Sequence, residues 1–446
     1  MKFVVIGGDA AGMSAASKAK RNMPDLEVVT LEATQDVSYS ACGMPYNIAE
    51  PGRVMDDLIV RKAEVFRSKQ GIDLRLGHKA VSIDRKNKKV VCEVHGNGES
   101  EISYDKLLIA NGARAIRPDI PGIDLPGVMV LKSLQDGRAI KQFLGNKTVK
   151  KVLIIGMGYI GLEMAEAFHA IGAEVTMIKP GPRLLAFMPE EMAELVKQEL
   201  SDKGVRCFPG VAVNSLRDDG RGLKVCASSG DIEADLVLVS VGVTPNSELA
   251  AGASLDLGPK KSIAVDRKLK TSDPDIFAAG DCADAFHILT GKRVWIPLAL
   301  RANRAGWAVA DNVTGGQVEL PGIMGTAVFK VLDLEVARTG LSFEEASSEG
   351  YDPVQEVIKS RSRAHAHPGN QSIYVHLVAD RNSGKLLGGT MVGKEGVAHR
   401  IDSVAVALHA GMSVEEFFQC DMAYAPPFSP VWDPLLTAAN QLLKKL

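Results

Sequence analysis

The chain has 446 residues, 46% of them hydrophobic and 24% charged, with a formal net charge of -2. A chain this long outgrows a single hydrophobic core and divides into two or three domains. Near-neutral charge leaves no electrostatic footprint for nucleic acid or a membrane surface, and no apolar run reaches the roughly 18 residues of a membrane span. Six scattered cysteines, with no Cys-x-x-Cys pair and no His/Cys cluster, suggest neither a disulfide framework nor a metal site. A reducing, cytoplasmic setting is the expectation.

The chain opens on Phe3-Val4-Val5-Ile6, running directly into Gly7-Gly8-Asp9-Ala10-Ala11-Gly12. A short apolar start could be a signal peptide, but no small-residue cleavage site follows, so it reads as a strand. An alanine-rich helix is expected from Met13 to Asn22, then a strand from Glu27 to Leu31. The same order recurs later. Val152-Leu153-Ile154-Ile155 enters Gly156-Met157-Gly158-Tyr159-Ile160-Gly161, followed by a helix from Leu162 to Ile171 and a strand from Glu174 to Ile178. Two βαβ units of this kind predict two dinucleotide-binding domains. The second fingerprint is complete: Gly156 for the turn, Gly158 for backbone approach to a pyrophosphate, Gly161 for close helix packing. The first is not, because Asp9 occupies the central glycine position. Its support is Glu32, twenty residues after Gly12, at the strand end where a ribose hydroxyl is held.

Six residues past that point begins Ser38-Tyr39-Ser40-Ala41-Cys42-Gly43-Met44-Pro45-Tyr46, which puts Cys42 ten residues past Glu32. A dithiol flavoenzyme has its second cysteine five positions after the first; here that position is Asn47. Cys42 therefore has no local partner and must pair with an external thiol or an oxygen atom. A helix starting after Gly43 would favour its thiolate through the helix dipole. The alternative for Cys42 is a buried, inert cysteine, as assigned to the other five.

Two more strand-to-glycine segments close the first unit, Tyr104–Ala113 and Thr271–Asp281. Asp281 can accept from a ribityl hydroxyl or merely cap a following helix. The first domain is thus interrupted by the second. After about residue 325, alternating segments Thr326–Val331 and Ser372–Val378 predict an antiparallel sheet. A helix ending near Gly411 follows, then a capping box at Ser413–Glu416 and a last helix with Asp433 as N-cap and Pro434 at its first position. The fold class is α/β: two Rossmann-like dinucleotide-binding domains, at 1–112 with 245–322 and at 113–244, plus a C-terminal α+β domain at 323–446 suited to dimerisation.

These features resemble the pyridine nucleotide–disulfide oxidoreductase superfamily over essentially the whole chain. Ser38-x-x-x-Cys42-Gly43-x-Pro45-Tyr46, Gly280-Asp281 and Tyr424-Ala425-Pro426-Pro427-Phe428-Ser429 are most similar to its single-cysteine branch, the coenzyme A disulfide reductases and NAD(P)H-dependent persulfide reductases. The resemblance implies FAD on the first unit and NADPH or NADH on the second. FAD would meet Gly7, Gly8, Ala11, Gly12, Glu32 and Ala33, then Ala80, Ala110, Gly112, Gly280, Asp281 and Ala299. The nicotinamide cofactor would meet Gly156, Gly158, Tyr159, Ile160, Gly161, Glu163, Lys179 and Gly242. Lys179, where an acid would hold the ribose of NADH, leans the preference toward NADPH. The resemblance also implies a homodimer in which Tyr424 reaches the other subunit's Cys42. It puts Ser14, Lys18, Arg21, Ser38, Lys69 and Asn303 along the path of coenzyme A, or its disulfide or persulfide. That stripe could equally be a solvated patch.

Three departures qualify the resemblance. Ala10 stands where peroxidase and oxidase cousins have histidine. His365-Ala366-His367-Pro368-Gly369 replaces paired tyrosines, making His367 either a substitute proton donor or a loop residue. No rhodanese segment precedes Leu446, so a sulfur donor would be a separate molecule. The leading expectation is an FAD-dependent NAD(P)H oxidoreductase reducing coenzyme A disulfide, persulfide or polysulfide through Cys42. The alternatives are an NADH oxidase or peroxidase using a sulfenic acid at Cys42, a redox sensor docking a partner near Tyr424–Trp432, and an electron donor to a ferredoxin or rubredoxin.

Overall fold

A computed structural model describes residues 1–220 and 222–446. Buried strand Lys2–Ile6 lies at the centre of a five-stranded sheet, paired in parallel with Glu27–Glu32 on one side and Lys106–Ile109 on the other. Asp73–Leu76 and Ile276–Ala278 form its edges. Near-continuous apolar strands such as KFVVI suit a parallel sheet covered on both faces.

The second unit repeats that order. Lys151–Ile155 is central, between Glu174–Lys179 and Leu236–Val239, with Arg206–Pro209 and Val128–Met129 at the edges. The edge strands reveal how the units interleave. The first sheet takes a strand from chain that follows the second unit, and the second sheet takes one from chain that precedes its glycine turn. Each unit also carries a three-stranded antiparallel meander, at His78–Ser103 and Val213–Ala234. Neither meander was anticipated, because both lie in polar segments of weak alternation.

The two glycine-turn helices are Ala10–Asn22 and Tyr159–Ala170, each starting about three residues earlier than apolar periodicity alone suggested. The first packs along Ala299–Val313, with Gly306 at the crossing: a Cβ there would sit 2.3 Å from the Ala11 carbonyl oxygen. The second is wedged against the C-terminal region, where Glu166 accepts from Lys330 Nζ at 2.6 Å and from the Leu332 amide at 3.0 Å.

The C-terminal sheet is antiparallel, in the order Ala327–Val331, Leu334–Gly340, Leu386–Gly393, Ser372–Asp380, Pro353–Arg361. One face buries Val375 and Leu377 against Ile401, Val404 and Leu408 of helix Val397–Ala410 and Leu435 of helix Pro434–Leu443. On the other, Val336 and Val392 join the core of the second unit. The expected caps are present: Ser413 and Glu416 exchange bonds as a capping box, and Asp433 accepts from the Leu435 amide at 2.9 Å. Gly411 ends its helix at φ +68°, a conformation suited to glycine.

Candidate active site

The two glycine turns provide matching cradles. Gly7 and Gly156 sit at φ +110° and +118°, and a Cβ on either would lie 2.2 or 2.3 Å from a carbonyl oxygen of the neighbouring strand's exit. Beyond them, helix N-termini present unpaired amides, where an anionic pyrophosphate is stabilised. Above Gly158 there is open space within 4 Å of a built Cβ, room for a ligand to approach the backbone. Gly112 and Gly242, at the ends of two further strands, have φ of +69° and +118°. The buried amide oxygen of Asn111 has no partner among the described residues. Ala110 follows the strand Lys106–Ile109, and Ala80 lies at a bulge of the first meander.

Glu32 ends its strand with both oxygens engaged. Oε2 accepts from the Gly8 amide at 2.7 Å and Oε1 from the Thr34 amide and hydroxyl, fixing the carboxylate beside Ala33 at the glycine turn. Lys179 ends the matching strand of the second unit, and its Nζ donates to the Arg183 carbonyl at 2.8 Å.

Asp9 behaves unlike a turn glycine. Its Oδ1 accepts from the Tyr39 amide at 3.3 Å, so the carboxylate links the glycine turn to the cysteine segment. Burial pushes its pKa up to about 6, against the opposing pull of the Tyr39 amide and Lys132. Ser38, next to it, has φ +48°, a strained conformation for serine, and its amide donates to the Gly8 carbonyl at 3.0 Å.

Cys42 lies in a single 3-10 turn, Ala41–Gly43, leading into a five-residue helix, Met44–Ile48. It is the exposed cysteine of the six; Cys92 and Cys282 are buried, and the rest are partly covered. Asn47 is fully buried: its Nδ2 donates to the Val54 carbonyl at 2.9 Å and its Oδ1 accepts from Lys141 Nζ. The position of a second cysteine is thus occupied by a structural amide. Lys141 also donates to the carbonyls of Asn47, Glu50 and Arg53, while Arg138, one turn earlier on helix Leu134–Asn146, forks onto Asp36 and reaches Asp56. These two cations fasten the cysteine segment to the neighbouring helix.

The expected depression of the Cys42 pKa is not found. Burial of the sulfur's surroundings raises it, and the Glu163 charge raises it further; Lys132 opposes them. A five-residue helix is too short for a strong dipole. Glu163, on the second glycine-turn helix, accepts from Tyr46 Oη at 2.9 Å, and burial raises its own pKa. Lys132 escaped the sequence reading, having no motif. Its Nζ pairs with Asp281 at 3.0 Å, bringing the flavin-motif acid and a cation to the cysteine side of the site. No helix follows Asp281, which removes the capping alternative; the next helix is Ala299–Val313. Tyr159, the first residue of the second glycine-turn helix, stacks on Phe329 with ring centroids 4.6 Å apart.

Along the first helix, Ser14 Oγ donates to Asn303 Oδ1 at 2.7 Å and Lys18 pairs with Asp311 at 2.6 Å. Arg21 is exposed, as is Lys69 near the end of helix Ala63–Gln70. Tyr424 is 48% exposed in the proline-rich loop. The His367 loop joins that loop through the Ala364 amide, which donates to the Pro426 carbonyl at 3.1 Å, and Arg400 bonds the carbonyls of both Ser362 and Phe428. Tyr424 and His367 therefore share one corner of the subunit. Every charge named above as acting on Cys42 comes from the first two units.

Residues 1–306 match the pyridine nucleotide-disulphide oxidoreductase family and residues 326–435 its dimerisation domain. The chain belongs to this family, whose cofactors are FAD and NAD(P)H, and the cradles above fit both. More particularly, it is 40% identical over 442 residues to a Pyrococcus horikoshii NAD(P)H coenzyme A polysulfide/persulfide reductase, covering 99% of this chain and 98% of that one. It is 33% identical to a Methanocaldococcus jannaschii NADH oxidase over 100% and 99% of the two chains. The solved NAD-dependent persulfide reductase from A. fulgidus superposes with a TM-score of 0.97 at 36% identity, covering 100% of this chain and 83% of that one. Coenzyme A disulfide reductases are also among the relatives. The protein is an oxidoreductase of this flavoprotein group, which spans persulfide and coenzyme A disulfide reductases and NADH oxidases. Among the described residues no helix is long and apolar enough to cross a membrane.

Proposed function

We propose that the protein reduces coenzyme A disulfide, coenzyme A persulfide or polysulfide, working as a homodimer with Cys42 as its single redox-active sulfur. The observation that carries this reading is an exposed Cys42 followed at the second-cysteine position by a buried Asn47 whose side-chain nitrogen and oxygen are both hydrogen-bonded. The Cys42 thiolate attacks one sulfur of the substrate disulfide, releasing one thiolate and leaving Cys42 bonded to the other sulfur. When bound, FAD supplies the two electrons, drawn as hydride from NAD(P)H, that return this bond to two thiolates. Lys132 offsets the negative charge that Glu163 and Asp281 impose on the sulfur. Tyr424 of one subunit donates a proton to the thiolate leaving Cys42 of the other, with His367, on the adjoining loop, as a second donor. Lys179, in place of an acid, admits the 2′-phosphate of NADPH.

Ala10 argues against the oxidase and peroxidase reading, since the glycine-turn position that carries a histidine in those cousins has no imidazole here. The test is anaerobic oxidation of NADPH and NADH with coenzyme A disulfide by wild type and Cys42→Ser. Turnover that disappears in the variant is the expected result. A wild type whose flavin is reduced but which ignores the disulfide moves the assignment to persulfide or polysulfide, read as sulfide release. Rapid aerobic turnover without any sulfur substrate rejects the reductase reading.

A further inference from the structure

Helices Ala10–Asn22 and Ala299–Val313 run side by side and meet along a seam with one contact per turn. Ser14 bonds Asn303 at 2.7 Å, Lys18 bonds Asp311 at 2.6 Å, and Asn22 bonds Asp311 and Thr314 at 2.9 and 3.0 Å. In the middle of this polar seam Trp307 is 50% exposed. Its neighbours Ala305, Gly306 and Ala308 are buried, so the helix itself is fixed. Lys18 Nζ lies 5.5 Å from the indole centroid.

Lys18 is therefore committed. Its charge is matched by Asp311, whose other oxygen takes Asn22, so the ammonium serves to hold the indole and is a poor phosphate ligand. Arg21, one turn on and exposed, and Arg304, exposed beside Trp307, are the cations left open at the seam. A half-exposed indole, with exposed guanidinium groups on the same pair of helices, suits a base joined to phosphates: the ring stacks and the arginines take the anions.

We propose that Trp307 is the stacking platform for the adenine of a coenzyme A substrate, with Arg21 and Arg304 meeting its phosphates. This rests on the coenzyme A reading above and names the residue that would make the enzyme prefer coenzyme A over shorter thiols. An adenosine half of NADPH offers the same chemistry, so the test separates the two sources.

The holoenzymes of wild type, Trp307→Ala and Trp307→Phe are assayed with coenzyme A disulfide and with pantethine, the disulfide that lacks the nucleotide. Trp307→Ala should raise KM for coenzyme A disulfide about tenfold, the scale of one lost base–aromatic stack. Its kcat and its KM for pantethine should stay put, and Trp307→Phe should recover most of the loss. Adenosine 3′,5′-bisphosphate should quench tryptophan emission in wild type and not in Trp307→Phe; pantetheine should quench neither. An unchanged KM in Trp307→Ala, an equal rise for both disulfides, or a rise confined to NADPH overturns the platform. So does a variant whose only change is loss of the dimer by light scattering. If wild type does not reduce coenzyme A disulfide at all, the functional reading fails, while the quenching experiment still decides whether Trp307 stacks a base.

Discussion

The two glycine turns have the same backbone and different side chains, and the difference separates what the fold needs from what the ligand needs. Asp9 and Gly158 occupy the same helix-capping position with nearly the same extended conformation, φ -111° and -87°. At the outer positions the copies agree because sterics allow no choice. A Cβ at Gly12 would sit 1.9 Å from the Gly7 carbonyl oxygen, and one at Gly161 would sit 2.6 Å from that of Gly156. At the centre the fold is indifferent: a Cβ at Gly158 meets nothing within 4 Å. The central glycine leaves open space in the second copy, and the first copy has given that position to a carboxylate reaching toward the cysteine segment.

This contrast predicts a split between neighbouring substitutions. Gly12→Ala and Gly161→Ala should each destabilise the protein by about 1–3 kcal/mol or more, as overpacked cores do. Gly158→Ala should leave the denaturation midpoint unchanged and weaken NAD(P)H at least as severely as it alters any property of the apoprotein. Chemical denaturation followed by flavin-reduction kinetics separates the two. Equal destabilisation by Gly158→Ala and Gly161→Ala would erase the distinction.

The residue at the end of the second strand also differs between copies, an acid in the first and a lysine in the second. Glu32 is locked to Gly8 and Thr34, whereas Lys179 bonds a loop carbonyl. Lys179→Glu should restore a ribose acceptor and repel a 2′-phosphate, shifting the ratio of kcat/KM for NADPH over NADH downward on the order of tenfold or more. No shift would mean that Lys179 faces solvent with either cofactor.

Asp9→Asn tests the centre of the first copy. With its pKa raised to about 6, Asp9 is charged at pH 8 and largely protonated at pH 5. A carboxylate at a pyrophosphate cradle opposes the ligand only when ionised, so FAD affinity should fall as pH rises through 6. Asp9→Asn should remove that step and bind FAD more tightly at pH 8, measured by flavin fluorescence. A pH-independent affinity in wild type rejects the repulsion.

Legibility followed the range of the cause. The glycines, strands, caps and the absence of a second cysteine are imposed within a few residues, and the sequence carried them. So did Asp433, Ser413 and Gly411, whose capping chemistry is local. What escaped was set by chain crossings. Lys132 meets Asp281 across 149 residues, and Lys141 meets Asn47 across 94, with no spacing to announce either. The meanders escaped because their exposed strands alternate weakly. The expectation of an acidic Cys42 failed for the same reason: it weighed the short helix at Met44–Ile48 and could not see Glu163 arriving from the second unit.

That failure supplies the finest test of how the units cooperate. In the first unit alone Cys42 would feel Asp9, Asp281 and the start of a helix; the second unit adds Glu163 from its glycine-turn helix and Lys132 from the chain before that turn. A raised thiol pKa means the thiolate is scarce at neutral pH and forms as pH climbs beyond the ordinary 9.0. The rate of iodoacetamide alkylation at Cys42 in the reduced enzyme should therefore keep rising above that pH. Glu163→Gln removes the negative charge beside the sulfur and should move the midpoint down. Lys132→Met removes the compensating cation and should move it up, and the double variant should fall between them. If neither single change moves the midpoint, the sulfur is governed by burial alone, and the second unit does not tune the cysteine.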